Sequence, residues 1–324
     1  MSFHKPFYSL NIKSARCGYV ICINGAYVEV HEDSESLAIE YPVNHWLKNK
    51  QNNIEVFLST IDDPETGKAR VRRDAVLEVR LYVKEAESSD KSLVSQINFD
   101  ASKLNRKDEN AIDYDALNNI DEFCSGSTTP GSYAIENGKT IASTEGEYRV
   151  GSIIAQKGKS KGLCLTQPIE LPLPHPEWMF FSGETHEIHF NLSDDEWEDK
   201  RTEMIAEYQK LWDALEAKDY DTFAAQISDR CKEIDLAFYR DEGQTCKNII
   251  RKFKLNSSDP EWPLKPLSKN SLDYAVAYNQ QIVWMHPWDK PMSGAIALKH
   301  TKSDMVNVYP LAFAKINGQW KIVR

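Results

Sequence analysis

No stretch of this chain approaches the roughly 20 consecutive apolar residues that a membrane-spanning helix needs. Met1 to Leu10 has neither a basic start nor an apolar run of signal-peptide length. The expectation is a protein that stays in the cytoplasm and engages no membrane. Basic residues are also short: 39 Lys and Arg stand against 49 Asp and Glu, a formal net charge of -10. Such a balance repels polyphosphates unless lysines and arginines gather locally, and no basic face is visible, so nucleic acid is not an expected partner. A basic protein suits the charge better. The six cysteines, Cys17, Cys22, Cys124, Cys164, Cys231 and Cys246, contain no CxxC pair and no tight cluster. Reduced, mostly buried thiols are therefore expected in place of a structural zinc site or a disulfide framework.

Signatures of catalysis are missing too. No serine lies in a Gly-x-Ser-x-Gly elbow and no cysteine has a papain-like or caspase-like context. Gly158-Lys159-Ser160 ends like a phosphate loop, but Ile153 stands where the first glycine is required and the following residues open no helix, so it reads as a basic surface turn. His186-Glu187-Ile188-His189 is one residue short of the HExxH zinc motif. On a helix its histidines could share a metal, with His175 as a third ligand. On an extended chain, which Ile188 and Phe190 favour, they point to opposite faces. Asp219 and Asp221 form a carboxylate pair, but at a helix break where aspartate caps exposed N–H groups, and capping is the preferred reading. The sequence thus names no catalytic residue, no metal site and no cofactor.

What is present is pattern. Trp197, Met204, Tyr208, Leu211 and Leu215 recur at helical spacing, and Phe223, Ile227, Cys231, Ile234 and Phe238 repeat it beyond a break at Ala217-Lys218-Asp219. Ser193, followed by Asp194, Asp195 and Glu196, supplies an N-cap and an acidic first turn. In the front half, Tyr19 to Val30 reads as a hairpin turning at Asn24-Gly25. Leu77, Val79, Leu81 and Val83 alternate with Glu78, Arg80, Tyr82 and Lys84 along one strand. Ile54 to Thr60 is a further strand, Pro64 to Gly67 a turn, Ile112 to Ile120 a short helix, and Cys124 to Gly162 long loops around a strand at Tyr148 to Gln156. Pro168, Pro172, Pro174 and Pro176 space an extended connector, with Trp178, Phe180 and Phe181 sealing a domain junction. Toward the C-terminus one long strand is expected from Leu272 to Trp284, another at Ile296 and Leu298, a third over Val306 to Ile316, and a hairpin at Asn317-Gly318.

These elements predict two domains: an all-β antiparallel sandwich over 1–165, a Pro-rich connector over 166–193 and an α+β domain over 194–324. The front half resembles an uncharacterised bacterial β-sandwich. Three runs, Tyr208 to Leu215, Lys218-Asp219-Tyr220-Asp221 and Tyr309 to Ile322, together resemble the NTF2-like (cystatin-like) fold, in which helices pack across a strongly curved antiparallel sheet. The long second helix and the Pro-rich insertion from Asp259 to Pro266 depart from that pattern. The resemblance implies a cone-shaped interior that some members use for proton transfer, but none of their site motifs is carried here residue by residue.

One constellation stands out, Trp284-Met285-His286-Pro287-Trp288-Asp289. Either Trp284 and His286 line that interior and hold a small ligand, or Trp284 ends the core while His286-Pro287-Trp288 forms an exposed loop, with Trp288 as a protein-binding anchor. Trp284, His286, Trp288 and Asp289 are the candidate binding residues. The functional expectation is a non-catalytic protein-binding module, of immunity or inhibitor type, for a basic partner. The alternative is a small-molecule binder or proton-transfer enzyme using the cone.

Overall fold

The computed structural model describes residues 3–31, 35–59, 61–62, 69–70, 74–103, 124–127, 132–136, 139–143, 149–154, 161–171, 173–187, 192–277, 280–288 and 293–324. The Pro64 to Gly67 turn, the Ile112 to Ile120 helix and Gly158-Lys159-Ser160 lie outside them. The chain divides into two compact units, Met1–Pro176 and Glu177–Arg324.

The first unit is built from β1 (Pro6–Ala15), β2 (Gly18–Ile23), β3 (Ala26–His31), β4 (Leu37–Pro42), β5 (Lys50–Ser59), β6 (Ile61–Asp62), β7 (Ala69–Arg70), β8 (Val76–Glu85), β9 (Ser92–Asp100), β10 (Cys124–Ser127), β11 (Ser132–Glu136), β12 (Lys139–Ser143), β13 (Arg149–Ile154) and β14 (Lys161–Leu171). Two five-stranded antiparallel sheets, ordered β10-β9-β8-β1-β4 and β13-β14-β5-β2-β3, dominate it. One core joins them: Leu10, Ile12, Leu77, Val79 and Leu81 from the first sheet lie in the same buried cluster as Tyr19, Ile21, Val56, Leu58 and Leu165 from the second. Alternation along each strand sends these side chains inward, so the architecture is a β-sandwich. Asn24 and Gly25 turn β2 into β3 with φ of 54° and 78°, the left-handed pair that a type I′ turn demands.

Two expectations change here. The segment containing Pro168 is a sandwich strand, because β14 pairs β5 from Leu163↔Leu58 to Leu171↔Lys50. Pro168 lies past the last pair with β13, Arg149↔Thr166, where a missing N–H costs no ladder bond. Between Cys124 and Gly162 the chain also forms β10 and the β11–β12 hairpin, beyond the single strand expected.

The second unit opens with a 3-10 turn at Met179–Ser182 and then three helices, α1 (Asp194–Glu216), α2 (Tyr220–Ala237) and α3 (Gln244–Ser257). Ser193 and Glu196 close a capping box at the start of α1, and Asp219 caps α2 by accepting from the Thr222 N–H at 3.1 Å. Helix α3 was not expected, although Cys246, Ile249, Ile250 and Phe253 repeat at helical spacing and pack on the core. Strands follow: β15 (Leu272–Ala277), β16 (Ile282–Pro287), β17 (Ile296–Lys299), β18 (Val306–Tyr309), β19 (Phe313–Ile316) and β20 (Gln319–Ile322). A four-stranded antiparallel sheet, β15-β16-β19-β20, carries the helices, and β17 and β18 pair separately. Met204, Tyr208, Leu211, Phe223, Ile227 and Phe253 from the helices share a core with Tyr274, Val283, Met285 and Phe313 from the sheet. Helices on an antiparallel sheet make this unit α+β.

The expected long strand from Leu272 to Trp284 is a hairpin, with Gln280 at φ 68°. The expected strand from Val306 to Ile316 is likewise two, β18 and β19, separated at Pro310-Leu311-Ala312, where proline cannot continue the ladder. Trp178 and Phe180 are buried within this unit, and the Arg324 guanidinium sits 4.3 Å from the Phe180 ring. Among the described residues no helix is long and apolar enough to cross a membrane.

Candidate functional site

The hairpin turn decides where the sequence-nominated residues go. In a single strand Tyr274 and Trp284 would share a face, but the hairpin register places Tyr274 opposite Met285 and Ala275 opposite Trp284. Directly paired residues share a face, so Val283 and Met285 join Tyr274 under the helices while Trp284 and His286 take the other side. Trp284 is half-buried. His286 is buried, with Nδ1 2.8 Å from the Pro287 carbonyl. Neither lines the clefts described below. Asp289 lies outside the described residues.

Trp288 is 48% exposed. Its ring leans on Trp197 of α1 at a centroid distance of 5.4 Å and an interplanar angle of 52°, and its backbone N–H donates to the Ser271 carbonyl at 3.2 Å. Trp197 is itself pinned: its indole N–H donates to Asp273 at 3.2 Å, and the Arg201 guanidinium lies 5.0 Å from its ring. Arg201 in turn donates to the Leu272 carbonyl at 3.2 Å and pairs with Glu198. An exposed indole on this braced footing loses little side-chain freedom when a partner covers it. Asp194, Asp195, Glu196, Glu198 and Asp199 are exposed in the first turns of the same helix. Hydrogen bonds from Ser193 hold the Glu196 carboxyl below its usual range, so this end of α1 is firmly anionic.

A second concentration of polar groups was only partly visible in the sequence. Residues 184–186 run extended beside the sheet, with the Glu184 N–H donating to Lys315 and the His186 N–H to Gln280, both at 2.8 Å. His186 stacks on Trp320 of β20 at 5.0 Å and 22°. Its companion His189 lies outside the described residues. Among the described residues no group of three or more His, Cys, Asp or Glu could hold a metal ion. A cleft of about 150 Å³ opens here between α1 and the sheet. Burial, helped by Lys200 and Lys315 and opposed by Glu184 and Glu203, pushes the His186 imidazole below its ordinary pKa. Burial raises Glu203, but hydrogen bonds from Lys315 and Trp320 outweigh it and leave the carboxyl lowered. Across Trp320 lies a cleft of about 250 Å³ bordered by Lys210, Gln226 and Asp229. A third, of about 340 Å³, lies beside Cys231 and Cys246. The Cys231 thiol is pushed up to about 12 by burial and by Cys246, so it is a poor nucleophile at neutral pH.

No protein-family model and no curated protein matches this chain. Human GIVD cytosolic phospholipase A2, a solved structure, aligns with 66% of this chain at 9% identity and a TM-score of 0.10. The aligned part spans 38% of that enzyme, and a likeness this weak carries no argument.

Proposed function

We propose that this protein is a non-catalytic binding module that captures a basic protein partner at the Trp288 corner of its second unit, as an inhibitor or immunity-type protein does. The observation that carries the reading is Trp288 itself: a large indole, half-exposed, braced by Trp197 and bordered by the acidic start of α1. Tryptophans in such settings are enriched among residues whose truncation costs about 2 kcal/mol or more of binding. The anionic rim selects a cationic partner and speeds encounter. Helices that precede an antiparallel sheet closed by the Asn317-Gly318 hairpin support an NTF2-like reading of the unit. The free thiols Cys17, Cys22 and Cys231, all buried, suit a cytoplasmic setting.

Capture from native lysate tests this, with wild type, Trp288→Ala and a triple charge reversal of Asp194, Asp195 and Glu198 as parallel baits. The expected result is a stoichiometric basic protein held by wild type and lost from both variants, with salt weakening the capture. Identical recoveries from all three baits would reverse the proposal.

A further inference from the structure

The cleft beside His186 has a chemistry the Trp288 corner lacks. Its inner wall is apolar, made by the buried side chains of Met204, Tyr274 and Val283. Above that wall the charges are not equally committed. Glu203 accepts from Lys315 and from the Trp320 indole, each at 2.8 Å, and Glu184 accepts from the Gly318 N–H at 2.9 Å. Lys200 lines the same cleft, and its ammonium makes no hydrogen bond or ion pair with the described residues, although its charge reaches His186 and Glu203. His186 is only 7% exposed, and its Nε2 has no hydrogen-bond partner. A buried imidazole nitrogen left unpaired is costly, and an incoming acceptor removes that cost when the proton sits on Nε2. One uncommitted cation and one unpaired donor over an apolar wall match a carboxylate with a small hydrocarbon body.

We propose that this cleft binds a small organic monocarboxylate, with its anionic end on Lys200 and His186 and its body against Met204 and Val283. Nε2 is closed to solvent, and Trp320 stacks on the same imidazole, so the acid reaches Nε2 through a small shift of the two stacked rings. A cavity of about 150 Å³ takes a benzene-sized body, which bounds the ligand at roughly the size of benzoate. The site is separate from the protein-binding reading and stands without it.

Titrations of the full-length protein with acetate, benzoate and the neutral isostere benzamide, followed by NMR of the His186 imidazole and the Trp320 indole, test the assignment. Benzoate should move both sets of resonances and saturate in about the millimolar range, with benzamide about tenfold weaker or more, since hydrogen bonds to a charged group are worth about 1.5–3 kcal/mol. Lys200→Gln should erase the preference for the acid, Lys200→Arg should keep it, and Trp288→Ala should leave it untouched. The proposal is overturned by any of three results: no shift of these resonances with either acid, equal binding of benzamide and benzoate, or a Lys200→Gln variant that still prefers benzoate.

Discussion

The hydroxyl of Tyr208 donates to the Leu311 carbonyl and, from the other side, accepts the Met285 N–H at 3.2 Å. The register of β16 on β19, Val283↔Phe313, would place Met285 opposite Leu311 in the next pair of this antiparallel ladder. The chain bends away at Pro310, and a side chain from α1 takes the place of the lost ladder bond. This join fixes the helix to the sheet at one atom. Tyr208→Phe leaves a buried N–H and a buried carbonyl unpaired, so it should cost about 1–3 kcal/mol despite removing a single oxygen. Urea unfolding measures the cost, and faster amide exchange at Met285 locates it.

Helix α3 begins at Gly243, which has no side chain to cap it. Asp235 of α2 supplies the cap from a distance: its buried carboxylate accepts the Thr245 N–H at 2.9 Å and the Thr245 hydroxyl at 2.5 Å. Asp235→Ala should therefore destabilise the second unit by about 1–3 kcal/mol. Helicity should fall first in α3, where Thr245 sits, and amide exchange across 244–257 should show it.

His175 gives stability a dependence on pH. Burial pushes its imidazole from an ordinary 6.5 down to about 4. The folded chain keeps it neutral over an interval in which the unfolded chain protonates it, so its contribution is complete above about pH 6.5 and disappears as pH falls toward 4. The full span is of the order of 3 kcal/mol. Unfolding curves at pH 7.5 and 4.5 should lie closer together in His175→Gln than in wild type. An unchanged separation would show that the ring takes up its proton inside the fold.

The capping box at Ser193 makes a smaller prediction. Ser193 Oγ accepts the Glu196 N–H at 3.3 Å, and Glu196 returns the bond by accepting the Ser193 N–H at 2.9 Å. Ser193→Ala should cost about 1 kcal/mol. Ser193→Asp should recover most of it, because an aspartate can accept the same N–H and complements the helix dipole. Thermal melting of the two variants makes the comparison.

Much of the fold was legible, because periodicity survives in the sequence wherever one face is buried. The stripe of Met204, Tyr208, Leu211 and Leu215 marked α1, and the alternation of Leu77, Val79, Leu81 and Val83 marked β8. Strand β1 carries the same alternation at Tyr8, Leu10 and Ile12, so it too was open to inspection. The reversal around Gln280 was not legible. Gln280 adopts φ 68° with no sequence cue, and an unseen reversal exchanges the two faces of everything beyond it. One of the two readings of Trp284 and His286 put them in the helix-covered interior, the side that Val283 and Met285 occupy. The His186 cleft was hidden for another reason. Its parts come from the segment before α1, from α1 and from four strands, and only the fold brings His186, Lys200, Tyr274, Val283, Lys315 and Trp320 together.

Of the three Asn-Gly pairs in the chain, Asn137-Gly138 lies outside the described residues, and the turns at Asn24 and Asn317 will age at different rates. Deamidation requires the glycine nitrogen to attack the asparagine side-chain carbonyl and expel ammonia. Asn24 is buried, its amide donating to Trp46 and Asn52 while its oxygen accepts the Asn53 N–H, so the group is held away from attack. Asn317 is exposed, three residues before Trp320. Long storage should therefore convert Asn317 before Asn24. Each isoaspartate formed there adds one methylene to the backbone of the closing hairpin and shifts the indole that walls the His186 cleft, so a slow chemical clock is set beside that recess.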